Sequence, residues 1–138
     1  MPTSVEFTVS GIAVSRSARS QRRRDWIDRV RGQALEAAKQ QGQILDAPVS
    51  VGVLFIYRFK TDEDRVLADL DNMAKTTLDG LTGTVLRDDV QINKLSLQRF
   101  DGKDPTPERF DRSQILTTAL SSIKRHFVYI KITDTFDQ

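Results

Sequence analysis

The residues with chemical potential fall in two stretches, Asp69-Leu70-Asp71-Asn72-Met73-Ala74-Lys75 and, further on, Leu86-Arg87-Asp88-Asp89-Val90-Gln91. Asp69 and Asp71 are two apart where an extended loop enters an expected helix, so their carboxylates can point the same way. Asp71 and Lys75 are four apart, which places them on one helix face with Cβ atoms about 5–6 Å apart. Asp79 continues that face. Asp88 and Asp89 follow the helix at the start of an expected strand, and a turn at Gly83 allows the chain to come back. Clustered carboxylates raise one another's pKa unless a positive charge sits among them. Lys75 offsets one charge, and a divalent cation would offset more. Mg2+ suits such a set, because it takes oxygen ligands, keeps several waters and is usually completed by substrate phosphate. The chemistry indicated is metal-assisted attack on a phosphodiester. The sole histidine, His126, is remote in the chain and no carboxylate–histidine spacing occurs, which argues against zinc.

An ordinary structural explanation competes for the same residues. Two aspartates at a helix start favour its dipole and can cap it. Asp71 and Lys75 also make an ordinary i, i+4 pair. Spacing alone leaves both readings open.

The elements that must position these groups can be read from periodicity. Glu6 to Val14 has the β-branched alternation of a strand, with a bend at Gly11. Arg22 to Gln41 carries Trp26, Ile27, Val30, Ala34, Leu35 and Ala38 at helical spacing, with Gly42 as its C-cap. Val49 to Phe59 is the strongest strand and is expected at the centre of the sheet. Leu70 to Leu81 predicts a short helix stopped by Gly83, with Leu70, Met73, Thr77, Leu78 and Leu81 on one face. Gln91 to Phe100 predicts a strand, Ile115 to Ile123 an amphipathic helix, and His126 to Ile132 a last strand. The order β-α-β-α-β-α-β predicts an α/β (α+β) fold: one domain over residues 1–138, with a mixed sheet and helices packed against it. Trp26 is expected in the core, and His126 is expected to be a bystander.

Composition bounds the function classes. At 138 residues, with 38% hydrophobic and 29% charged residues, the chain suits one globular domain. It contains no cysteine, which removes disulfides, thiolate metal sites and cysteine nucleophiles and suits a reducing cytoplasm. No stretch approaches the roughly 20 apolar residues of a membrane span, and no secretory signal is visible. The net charge of +2 is small, but its distribution is uneven. Arg16, Arg19, Arg22, Arg23 and Arg24 crowd one segment, whereas Asp62, Glu63, Asp64, Asp69, Asp71, Asp79, Asp88 and Asp89 make the middle acidic. Three arginines at a helix start oppose its dipole, each at about 0.3–1 kcal/mol. An anionic partner explains that placement; a solvated arm, or docking on the acidic loop Asp62 to Asp64, explains it equally simply. Lys60, Arg65 and Arg87 flank the carboxylates and would extend a phosphate track.

The pattern Asp69-Leu-Asp71-Asn72-x-x-Lys75-x-x-x-Asp79-x-Leu81-Thr82, then Asp88-Asp89-x-Gln91, resembles the RusA family of Holliday-junction resolvases. The resemblance extends over roughly residues 5 to 100, with its distinctive residues between 69 and 91. It implies a RusA-like homodimeric nuclease that cuts four-way DNA junctions symmetrically with Mg2+, Mn2+ being a substitute. It further implies Asp69, Asp71 and Asp89 as metal and catalytic residues, Asp88 as an alternative ligand, and Lys75 as the essential basic residue. Branched DNA would be the partner, and a bacterial or phage-derived protein at the nucleoid would be its setting. Where the family commonly has Pro-Pro-Ser-x-Asn after its first strand, this chain has Gly11-Ile12-Ala13-Val14-Ser15-Arg16-Ser17, and its 101–125 region is longer. Rival functions are a non-catalytic junction-binding protein, a nuclease for other branched DNA, a DxD sugar transferase and an aspartyl phosphatase. For a transferase, 138 residues is short. The segment before Asp69 is too polar for the buried strand that a phosphatase needs.

Overall fold

In the computed structural model, residues 2–58, 69–101, 113–123 and 125–135 are described. The elements run β1 (Ser4–Ser10), α1 (Ser20–Gln41), β2 (Val49–Tyr57), α2 (Leu70–Asp79), a 3-10 turn (Asp89–Gln91), β3 (Ile92–Asp101), α3 (Gln114–Ser122) and β4 (Phe127–Asp134). This is the expected order and the expected small α+β fold. Among the described residues the strands form one sheet in the order β1-β4-β2-β3. β4 pairs antiparallel with both β1 and β2, whereas β2 and β3 are parallel. Parallel neighbours need a crossover rather than a hairpin, and α2 lies in it.

The composition of β2 explains its central place. Val49, Val51, Val53, Phe55 and Tyr57 bury one face of the strand, and Leu54 and Ile56 bury the other. Ser50 and Gly52, on that second face, are only half-buried. The alternating first half is therefore covered on one side, and the continuous apolar second half is covered on both. The larger core lies under α1 and α2, where Trp26, Val30, Ala34, Met73 and Leu81 meet the first face together with Val5, Phe7 and Ile130. A smaller core lies under α3, where Leu116 and Ala119 meet Leu54, Ile56, Phe127 and Tyr129. Each fully buried aliphatic or aromatic side chain contributes about 1.5–3 kcal/mol.

Boundaries shift where tertiary contacts override local signals. β1 ends at Ser10, and the chain turns at Gly11, whose N–H donates to the His126 carbonyl at 2.9 Å. Gly42 caps α1 as expected, with φ +103° and its N–H on the Ala38 carbonyl. α2 ends at Asp79 instead of Leu81; the chain tightens there, with the Gly80 N–H on Thr77 and the Leu81 N–H on Leu78. Gly83 is not the helix stop but the corner of the following turn, at φ +77°. Phe59 lies outside the described residues.

His126 is not a bystander. Its Nδ1 accepts the Arg58 backbone N–H at 3.1 Å, and its ring stands edge-on to Tyr57. The Arg58 guanidinium donates to the Ile123 and Leu120 carbonyls and lies 5.8 Å from the Phe127 ring centroid. A cation on the last carbonyls of α3 satisfies orphan acceptors and complements the helix dipole.

Two glycines give opposite expectations for stability. Gly80 has an ordinary φ of −74°, but a Cβ there would stand 2.6 Å from Val30 Cγ1 and 3.1 Å from the Ile27 carbonyl oxygen, where α2 presses on α1. Gly32 lies within α1 with nothing within 4 Å of a Cβ. Urea unfolding should show Gly80→Ala destabilised by about 1–3 kcal/mol through overpacking. The same measurement should show Gly32→Ala stabilised by about 0.5–1 kcal/mol.

Candidate active site

Helix α2 has an inner and an outer face. Met73, Ala74, Thr76 and Thr77 are buried, while Asp71 and Lys75 are exposed. The inner face is fastened by hydrogen bonds as well as packing. The Trp26 indole N–H donates to the Thr77 hydroxyl at 3.1 Å, and that hydroxyl donates to the Met73 carbonyl at 2.8 Å. The Thr76 hydroxyl donates to the Val14 carbonyl at 2.7 Å, and the Ala13 N–H donates to the Tyr57 hydroxyl at 3.1 Å. These last bonds tie the segment that carries Arg16 to α2 and to the end of β2.

The outer face presents the acidic pattern. Asp69 occupies the N-cap position with extended backbone, and its carbonyl accepts the Met73 N–H at 3.0 Å. Its side chain makes no capping hydrogen bond, so the capping explanation of this aspartate does not apply. Asp71 stands exposed in the first turn, where the dipole favours it. Lys75 pairs with Asp79 at 3.8 Å rather than with Asp71, both side chains being about half exposed. Such a surface pair contributes about 0.2–1 kcal/mol and leaves the ammonium group free to move.

The second carboxylate group sits on the turn before β3. The Asp88 carboxylate accepts the Val90 N–H at 3.2 Å and caps the 3-10 turn. Gln91 closes the turn from the other side. Its Oε1 accepts the Arg87 and Asp88 N–H groups at 2.8 and 3.2 Å, and its Nε2 donates to the Ile44 and Ala47 carbonyls at 2.8 and 2.9 Å. All four hydrogen-bonding sites of this amide are thereby used. The neighbouring segment is bracketed to the same strip, with the Ile44 N–H on the Val85 carbonyl and Gln43 Nε2 on the Thr84 carbonyl. The second motif thus contains a positioning glutamine, which sequence reasoning quoted but left without a role.

The electrostatics show what this turn faces. A hydrogen bond with Asp88 raises the Asp89 pKa, and desolvation and the Asp88 charge add to the rise. Lys75 opposes it, and Asp79 reinforces it. The Asp88 pKa is lowered, first by the bond with Asp89 and then by the Val90 amide. The two carboxyls therefore influence each other's titration, Asp89 pushed up and Asp88 down, the Asp88 oxygen being the one that already accepts a backbone N–H. Asp89 thus stands beside Asp88 and within the electrostatic influence of Lys75 and Asp79. Among the described residues, no three His, Asp or Glu side chains come together as a group that could hold a metal ion. Asp69 and Asp71 stand at the start of α2, and the charges that act on Asp89 lie further along that helix. The donors nonetheless fit a hard cation. They are exposed carboxylate oxygens, the Asp69 side chain is not spent on its helix cap, and a cation would relieve the repulsion between Asp88 and Asp89.

The basic residues divide. Arg16, Arg19, Arg22 and Arg24 are exposed at the start of α1, which has no acidic residue in its first turn and no side-chain cap. Arg23 turns back to the Arg16 carbonyl at 2.8 Å. Arg87 pairs with Asp46 at 3.0 Å, so it is engaged within the protein and not simply open to a phosphate. Lys60, Arg65 and the acidic loop 62–64 lie outside the described residues.

The family model of endodeoxyribonuclease RusA matches residues 9–108, a span that holds α1, β2, α2 and the turn with Asp88 and Asp89. No curated protein matches the chain. No helix among the described residues is long and apolar enough to cross a membrane. At family level the match implies an endonuclease that resolves Holliday junctions. With the acidic helix, its lysine and the following acidic turn all inside the matched span, the chain belongs to the RusA endodeoxyribonuclease family.

Proposed function

We propose that this chain is a Mg2+-dependent endodeoxyribonuclease that resolves four-way DNA junctions by symmetric phosphodiester hydrolysis, as a homodimer, in recombination and repair. The observation that carries the reading is the alignment of three features on one helix. The outer face of α2 presents Asp71, Lys75 and Asp79. Asp89 lies within the field of Lys75 and Asp79. The arginine-bearing segment after β1 is bonded to the inner face of the same helix through Thr76.

In this reading Asp69, Asp71 and Asp89 hold the cation, with Asp88 beside them, and Mn2+ can take its place. When bound, the cation polarises the scissile phosphate and lowers the pKa of water. The chain's own groups do the remaining work. Lys75, held only by a surface pair, moves its ammonium toward the phosphoryl oxygens as negative charge develops there. Arg16, Arg19, Arg22, Arg23 and Arg24 receive backbone phosphates, with Lys60 and Arg65 as further candidates, and Arg87 joins them only by leaving its exposed pair with Asp46. Gln91 keeps the Asp88–Asp89 turn against the 44–47 strip, so Asp89 meets α2 in one place. A four-way junction has approximate two-fold symmetry, which a C2 dimer would match with two sites. Action on DNA places the protein in the cytoplasm, at the nucleoid.

Labelled synthetic four-way junctions and linear duplex, with and without Mg2+, test the reading. Paired symmetric nicks in the junction that require Mg2+ are expected. Asp71→Asn should slow them by at least about 100-fold while the junction still binds. Tight junction binding without nicking by the unaltered protein would replace the nuclease with a binding protein. Preferred nicking of flaps or duplex would overturn the substrate assignment.

The influence of Asp88 on Asp89 adds a pH dependence. Asp89 must be ionised to act, and Asp88 raises its pKa, so activity falls as pH drops through that raised value. In Asp88→Asn the charge and the carboxyl–carboxyl bond are gone, and the acid limb of kcat/KM should move to lower pH. An unmoved limb would show that Asp89 does not control it.

Gln91→Leu removes four hydrogen bonds and leaves two carbonyls and two N–H groups without that partner. It should cost about 1–3 kcal/mol in urea unfolding. It should also lower kcat more than it raises KM, because phosphate contacts elsewhere remain.

A further inference from the structure

The second face of the sheet is only half covered. α3 closes the half formed by Leu54, Ile56, Phe127 and Tyr129. The other half carries a cavity of about 190 Å³ lined by Ser50, Val51, Gly52, Lys94, Ser96, Lys131 and Thr133. Strand register explains this lining. Ser50 pairs with Lys94 on β3 and with Thr133 on β4, and Gly52 pairs with Ser96 and Lys131. The side chains form two rows across three strands, with the lysines at opposite corners and no side chain at Gly52 between them. Neighbouring strands about 4.8 Å apart and a two-residue step of about 6.8 Å put the two lysine Cα atoms roughly 12 Å apart. Each lysine stem spans about half that distance, so both ammonium groups can reach one anion seated above β2.

The chemistry of the lining is one-sided. It offers two ammonium groups and the hydroxyls of Ser96 and Thr133, and no carboxylate is among its described lining residues. Glu6, the register partner of Lys131, accepts a hydrogen bond from the Tyr129 hydroxyl. Neither Lys94 nor Lys131 makes an ion pair among the described residues. Lysine is strongly hydrated, and two of them around one concave patch with no carboxylate among its described lining residues suit a phosphate ligand. Position gives the source of that phosphate. Lys94 lies five residues beyond Asp89, at the start of β3, so the two are at most about 18 Å apart along the chain. DNA phosphates on one strand recur well within that reach.

We propose that the Lys94–Lys131 cavity is a phosphate subsite that grips the backbone of a DNA arm leaving the site at Asp89. The proposal rests on the reading of the chain as a DNA-acting protein. The sheet thereby presents DNA contacts on the face opposite α1 and α2, in addition to the arginine segment.

Its test is binding of a fluorescent four-way junction by anisotropy in EDTA, across salt concentrations, so that no cleavage intervenes. Lys94→Gln, Lys131→Gln and the double variant are compared with the unaltered protein and with Lys39→Gln, an exposed lysine in the last turn of α1. Loss of one phosphate contact lowers the slope of log K against log salt by about 0.9. The double variant should lose a slope of about 1 and bind more weakly whatever the junction sequence, while Lys39→Gln keeps the original slope. Thermal unfolding of all variants should coincide, since none of these lysines is ion-paired in the described structure. A double variant with the original slope, or a Lys39→Gln variant with the same loss, overturns the assignment. Failure of the unaltered protein to bind DNA also overturns it. A lowered slope in a protein that never cuts DNA when Mg2+ is added supports the subsite and removes the nuclease reading.

Discussion

The seating of α2 on α1 and β2 is the constraint on which the candidate site depends. The helix is short, and at 10 residues it would be marginal by itself. It is held by burial of Met73 and Leu81, by the Trp26–Thr77 hydrogen bond and by the contact of Gly80 with Val30. The two buried threonines are part of this arrangement. Each hydroxyl returns a hydrogen bond to the Met73 carbonyl, one turn earlier in the helix. Threonine in a helix interior is otherwise a weak choice, and here each hydroxyl also joins α2 to another segment. Because the inner face is held at several points, the outer face presents Asp71, Lys75 and Asp79 in a defined direction without any bond among them being strong.

The turn before β3 depends on a similar arrangement. Asp88 and Asp89 are both exposed, and nothing in their own burial would hold them. Their position comes from Gln91, which joins the turn to backbone carbonyls more than 40 residues earlier. A neutral amide suits the task because it accepts from two N–H groups and donates to two carbonyls at once. A carboxylate of the same shape would face those carbonyls with no proton to give. The opposed pKa shifts of Asp88 and Asp89 are then a consequence of geometry. Adjacent carboxylates kept in contact cannot both ionise easily, and Lys75 relieves only part of the strain.

The helix faces show two uses of charge. Arg58, Arg31 and Arg87 are engaged within the protein, on α3 carbonyls, on the Asp79 carbonyl and on Asp46 respectively. Among the described residues, the arginines at the start of α1 and the lysines above Gly52 have no such structural task, Arg23 apart. Charge that contributes little to the fold and is gathered on concave or protruding surface is available to an anionic partner, and it also keeps the acidic helix from repelling one.

The sequence by itself determined the kind and order of the elements, since the periods of strand and helix and the signal at Gly42 are local. It also determined that Asp69, Asp71 and Lys75 would occupy one helix start, because their spacing is fixed by the chain. Only the tertiary structure decided which charges meet. Lys75 turned to Asp79, Asp89 came under the influence of both, Arg87 was taken by Asp46, and His126 became a partner of Arg58. These outcomes follow from strand order and register, and from bonds between segments 40 or more residues apart such as Gln91 with Ile44. Such bonds have no local signature, because a side chain's partner across a crossover is set by how the core packs and not by its neighbours in sequence.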